Sequence, residues 1–159
     1  MSTKIRSVFY FSILALIVSL GSNARAQNPY RVTDKEVASL INKLDHETDN
    51  FKGEVGHALD RSPIDGTKRE DRIKDFVGAF ETSTDKLHDS FNHHNSATTQ
   101  VEDVLLKGRA VNRFMRAHDL GAKANASWAT IRGYLDTLAG YYSVTVWNWT
   151  ADDPWPVEP

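Results

Sequence analysis

Residues 71–91 carry Ile73, Val77, Phe80, Thr84, Leu87 and Phe91 at spacings that alternate four and three, and Phe76 widens the same face. That period lays one apolar stripe along an α-helix. A stripe this wide has to be covered by other helices, because one amphipathic helix cannot hide it from water. Three further segments repeat the pattern. Val37, Ile41, Leu44, Thr48, Phe51, Val55 and Ala58 form the first, flanked by Leu40 and Leu59. Val101, Val104, Leu105, Gly108, Val111, Met115 and His118 form the third, and Ala124, Trp128, Ile131, Leu135, Leu138 and Tyr142 the fourth. Four such stripes on short connections predict an all-α, antiparallel, up-down-up-down four-helix bundle.

The helix starts are written in capping chemistry. Thr33-Asp34-Lys35-Glu36 and Thr67-Lys68-Arg69-Glu70 each read as a box in which the threonine hydroxyl and the glutamate carboxylate serve each other's backbone amides. Between them, Arg61-Ser62-Pro63-Ile64-Asp65-Gly66 reads as a turn, since proline disfavours helix before it and glycine admits a positive φ. Asn95 or Ser96 is expected to cap the third helix, with residues 99–102 as a competing box. Gly121 is expected to open the fourth. Gly108 faces the seam, which calls for a bulky residue opposite such as Phe51 or Trp128. The segment Val144-Thr145-Val146-Trp147-Asn148-Trp149 is β-branched and aromatic, so it is expected to run extended and fold back over the core at the end where Tyr30 and Val32 lie. Residues 151–159 are expected to be a loose C-terminus.

The N-terminus has its own logic. Lys4 and Arg6 precede an apolar run over residues 8–20, and Ala24-Arg25-Ala26 supplies a small-x-small cleavage pattern. Residues 1–26 therefore read as a secretory signal peptide, with residues 27–150 forming the bundle and its tail. The run is shorter than the ~20 apolar residues that span a bilayer, so the cleaved chain is not expected to cross a membrane. Cleavage removes three positive charges and no negative one, moving the formal charge from −2 to −5. An acidic, exported chain argues against nucleic acid as a partner. The chain has no cysteine, which excludes a lipid anchor on cysteine, cysteine-held zinc and covalent haem attachment. No cofactor is expected.

Candidate chemistry is sparse. Glu54-Val55-Gly56-His57 matches the letters of a di-iron motif, but at 100° per residue His57 falls on the solvent face. His88, His93 and His94, with Asp89, would make a surface metal site at the end of the second helix, and the competing reading is a solvated polar loop. Met115 and His118 share one helix face and cannot supply opposite haem ligands; His118 is expected as a partly buried, hydrogen-bonded residue. Asp60-x-Ser62-x-Ile64 followed by Gly66 resembles a calcium loop, but the apolar Ile64 and the misplaced glycine break the ligand pattern. Arg109, Arg113 and Arg116 form a basic stripe on the third helix that would hold an anionic partner or pair with Glu81, Asp85 and Asp89. Trp147, Trp149 and Trp155 would either cap the core or dock a partner, with the first two expected as a cap and Trp155 as exposed.

Several stretches taken together resemble a known group. They are Ala58-Leu59-Asp60-Arg61-Ser62 with Asp65-Gly66-Thr67, Val101-Glu102-Asp103-Val104-Leu105, Arg113-Phe114-Met115-Arg116, the W-x-x-I-R-x-x-L-D-x-L-A pattern of residues 128–139, and the closing Tyr142-x-Val144-x-x-Trp147-x-Trp149. The ensemble resembles uncharacterised exported bacterial all-helical proteins with no assigned activity. The resemblance implies export and an all-α fold, and brings no functional residues with it. The resulting expectation is an exported, periplasmic or extracellular, non-enzymatic bundle that binds a protein or cell-envelope partner. Trp147, Trp149, Arg109, Arg113 and Arg116 are the candidate contacts. The alternative is a metal-responsive periplasmic bundle using His88, His93 and His94.

Overall fold

In the computed structural model, which describes residues 32–93, 97–144 and 148–150, the capping residues set where the helices begin. The expected signal peptide, Tyr30, His94, Asn95, Ser96, Trp147, Trp155 and residues 151–159 lie outside the described residues. Helix α1 (Asp34–Leu59) opens on a complete box: Thr33 N–H donates to Glu36 at 2.8 Å, and Glu36 N–H donates to the Thr33 hydroxyl. Helix α2 (Lys68–Asn92) opens on half of one. The Thr67 hydroxyl accepts from Glu70 N–H at 3.4 Å, but the Glu70 carboxylate reaches past Thr67 to accept from Gly66 N–H at 2.6 Å. The other Glu70 oxygen holds Lys74, so this buried carboxylate pins the turn and the helix start together.

Helix α3 (Thr98–Ala117) begins at Ala97 without a side-chain cap, and Thr99 already lies inside the helix. The competing box at residues 99–102 is therefore not the start. Helix α4 (Ala122–Tyr141) opens at Gly121 with φ of 88°, which glycine adopts without strain. Its far end closes in a Schellman arrangement: Val144 N–H donates to Ala139 O at 2.9 Å and Ser143 N–H to Gly140 O at 3.2 Å, with Ser143 at φ of 54°. Val144 then packs onto the core. That reversal ends the helix and re-aims the tail.

Contacts between helices fall in antiparallel register. Along α1 and α2, Asp45 faces His88, Lys52 faces Glu81 and Asp60 faces Lys74. Along α1 and α4, Phe51 meets Trp128 and Glu54 meets Lys123. Each helix packs on its two neighbours in the order α1, α2, α3, α4 and back to α1, with α3 and α4 the least closely packed pair. The all-α four-helix bundle expected from periodicity is the fold. Among the described residues, no helix is long and apolar enough to cross a membrane.

The core follows the stripes with three corrections. Leu59 rather than Ala58 ends the buried face of α1, because the helix rotates that position inward. Helix α3 buries more than its stripe: Ala110, Asn112 and Phe114 join the interior, and Phe114 meets Phe76 edge to face. The residue that needs Gly108 is neither Phe51 nor Trp128. A Cβ there would lie 2.6 Å from Leu135 Cδ1, with Phe80 behind it at 3.7 Å.

Candidate functional site

Two interhelical turns meet at one end of the bundle, and their geometry makes a cleft there. The first turn, between α1 and α2, is fixed by its own polar groups: Ser62 Oγ accepts from Ile64 N–H at 3.2 Å, and the Thr67 hydroxyl donates to Ile64 O at 2.6 Å. The second, between α3 and α4, is held by Asp119, whose carboxylate accepts from Gly121 N–H at 2.9 Å and from Asn125 Nδ2 at 3.2 Å. Between them lies a cleft of about 550 Å³. Its floor is apolar, made by Leu59, Ile64, Ile73, Phe114 and Leu120.

Two arginines and a histidine gather at its mouth. Arg61 and Arg69 line the cleft and are exposed, and His118 is half-buried against the Phe114 ring, 4.7 Å between centroids. None of the three side chains makes a hydrogen bond or ion pair among the described residues. The hydrogen bond expected for His118 is therefore replaced by ring packing. Asp119 also lines the cleft, with its Oδ1 committed to the second turn. Arginine forks can grip a carboxylate or phosphate through two donors each, which suits this rim to an anion.

The chain matches no protein-family model, no curated protein and no solved structure. Its own geometry is therefore the ground for a functional reading.

Two of the three histidines singled out as metal ligands by sequence, His88 and His93, are engaged by other partners. His88 Nδ1 lies 3.5 Å from Asp45 and its Nε2 pairs with Asn92 at 2.9 Å. His93 Nδ1 pairs with Asp89 O at 2.7 Å at the end of α2. His88 and His93 thus engage different partners, and no cluster of three potential ligands among the described residues includes either. His94 lies outside the described residues. His57 is exposed, where the helical period puts it.

The arginine stripe is not a uniform outer face. Arg109 and Arg113 are half-buried and only Arg116 is exposed. Of the acidic residues expected to pair with it, Glu81 binds Lys52 at 2.8 Å instead. Trp149 is half-buried and packs on the core: its ring meets Trp128 edge to face at 6.3 Å, its Nε1 donates to Asp136 at 2.8 Å, and Arg132 sits 4.9 Å over it. Trp128 lies roughly 20 Å back along α4 from the helix end at 1.5 Å per residue. The described part of the tail therefore lies against the side of α4 rather than over the end of the bundle. The extended run expected for residues 144–149 falls largely on residues outside the described ones; residues 149 and 150 form a turn, closed by Thr150 N–H donating to Asn148 Oδ1 at 2.9 Å.

Two acidic groups were not singled out as sites by sequence. Asp60, Asp65 and Glu70 converge at the first turn, where Lys74 already bridges Asp60 at 3.0 Å and Glu70. The Lys74 ammonium supplies the positive charge that a bound cation would, and its pKa is raised by hydrogen bonds to Glu70 and Asp60. Asp49, Glu81 and Asp85 converge between α1 and α2 beside Asp45. Burial, the Glu81 charge and a hydrogen bond to Asp45 push the Asp85 carboxyl up to about 6. The spacing of four within each helix was visible in the sequence, but the pairing across helices needed the register.

Proposed function

We propose that this chain is an exported, non-enzymatic helical-bundle protein that binds a component of the cell envelope, in the periplasm or outside the cell. The observation that carries the reading is the cleft between the two turns, where Arg61, Arg69 and His118 keep unused donors around an apolar floor. Concave, mostly apolar sites with a few converging polar groups are where small partners are held. Export is supported by the signal-like residues 1–26, and an acidic mature chain gives the arginine pair a sign opposite to the whole. The tail supports the reading less than the sequence suggested, because Trp149 already has Trp128, Arg132 and Asp136 as partners.

The test is retention from solubilised envelope extract on immobilised mature protein, comparing wild type, Arg61→Ala/Arg69→Ala and Trp149→Ala. The expected result is a component held by wild type and Trp149→Ala and lost from the double variant. An identical retained set for all three overturns the reading. Fractionation of expressing cells is expected to recover a chain starting at Gln27 outside the cytoplasm. A product that stays inside the cell with residues 1–26 attached removes the export half of the proposal.

A further inference from the structure

The cleft does more than invite an anion; its shape and lining restrict what kind. A volume of about 550 Å³ lies within the range of about 300–1,000 Å³ typical of small-molecule sites. It suits one medium-length apolar body and is small for two long acyl chains. Five apolar side chains from three helices and both turns make the floor: Leu59 ends α1, Ile73 lies in α2, Phe114 in α3, and Ile64 and Leu120 come from the turns. Leu59, Ile73 and Phe114 are almost wholly covered by the bundle itself, so the apolar surface open to a ligand is mainly that of Ile64 and Leu120.

The rim restricts the other end of the ligand. Several lysines elsewhere on the bundle have a carboxylate in reach: Lys52 with Glu81, Lys74 with Asp60 and Glu70, Lys107 with Asp103, and Lys123 with Glu54. Among the described residues Arg61 and Arg69 have none, although Asp60, Asp65 and Glu70 lie in the same turn region. Those three carboxylates converge on one another and two of them on Lys74, leaving the arginines to solvent. Both arginines flank the short turn that carries Ile64, so their charged forks and an apolar contact come from one rigid segment. Gly121 lines the same cleft and opens α4, but its N–H already donates to Asp119. That carboxylate offsets the positive end of the helix, so the arginines carry the attraction for an anion.

We propose that this cleft binds a single-chain anionic amphiphile of the fatty-acid class, its headgroup held by Arg61 and Arg69 and its chain laid on Ile64 and Leu120. The inference rests on the binding function proposed above and names the ligand class for the same site. His118, at the edge of the Phe114 ring, adds a third donor beside the headgroup.

Calorimetry on the mature protein tests it, with decanoate as the probe and 1-decanol and decyltrimethylammonium as neutral and cationic controls of the same length. Decanoate is expected to bind with a Kd on the order of 10–100 μM, within the affinity that a dozen heavy atoms can supply. Both controls are expected to bind at least tenfold more weakly. Arg61→Ala/Arg69→Ala should weaken decanoate at least tenfold with an unchanged circular dichroism spectrum, because both side chains are exposed. Lys35→Ala/Lys43→Ala removes the same charge from the first half of α1 and should change binding by less than twofold. Equal binding of decanol or of the cation overturns the proposal, as does full affinity in the arginine variant. So does co-sedimentation with phosphatidylglycerol vesicles in the absence of any decanoate binding, which would make the surface a membrane contact. If decanoate fails while the arginine variant still loses its component from envelope extract, the ligand class falls and the binding function stands. If both fail, both fall.

Discussion

Trp128 ties four parts of the molecule together through one side chain. Its ring packs on Phe51 of α1 at 5.4 Å, on Phe80 of α2 at 5.8 Å and on Trp149 of the tail, and its indole N–H donates to Asn112 of α3 at 3.2 Å. Asn112→Ala leaves that buried donor unsatisfied, and the expected loss is about 1–3 kcal/mol in chemical unfolding. A loss no larger than that of an exposed substitution would show that the indole needs no acceptor. Trp128 was legible because it sits on the apolar period. Asn112 was not, because a polar letter beside the stripe looks like surface until its partner is known. Gly108 was legible as a point of close approach but not its partner, since spacing along one helix does not say which residue of another arrives there. Gly108→Ala is expected to destabilise by about 1 kcal/mol, as overpacking against the fully buried Leu135 outweighs the helix propensity gained. In a Leu135→Ala background the space exists, and the same substitution should stabilise. A thermodynamic cycle showing the same sign in both backgrounds would remove the explanation.

At the scale of elements, ends and seams are where sequence and structure part. Both threonine boxes place helix starts correctly, and Thr67→Ala is expected to cost about 1 kcal/mol in thermal unfolding. A melting midpoint equal to wild type would mean that Glu70 and Gly66 hold the start without it. The close of α4 was not read, because its left-handed residue is Ser143 rather than the glycine that usually marks such ends. Ser143→Gly should stabilise by roughly 0.5–1 kcal/mol for the relief of that backbone strain; a loss of stability would show that the serine side chain matters more than its φ. The seam between α1 and α2 adds a pH effect. With the Asp85 carboxyl raised from 3.8 to about 6, the folded state holds a proton that the unfolded chain has released. Stability therefore falls as pH rises between those values and stays lower above them. The facing groups are Asp45, Asp49 and Glu81, with Lys52 and His88 as the nearby bases. Because Asp85 is exposed, solvent screening limits the effect to about 1 kcal/mol. Asp85→Asn should raise stability at pH 7.5 by that amount and change it little at pH 4. Equal gains at both values would point to a cause other than ionisation.

For the molecule as a whole, four apolar stripes and short connections were enough to read the bundle, since nothing but mutual packing could cover them. The cleft was less legible, for a physical reason. Arg61 and Arg69 each look like ordinary charges of a turn and of a first helical turn, and the second wall, from Phe114 to Gly121, lies about 50 residues further along the chain. Only the antiparallel register brings the two turns to one end. The same end carries Lys74 between Asp60 and Glu70, and this has a practical corollary. A counter-ion that is part of the polypeptide cannot be diluted out or sequestered, so the first turn should keep its shape in chelator-treated or calcium-poor fluid.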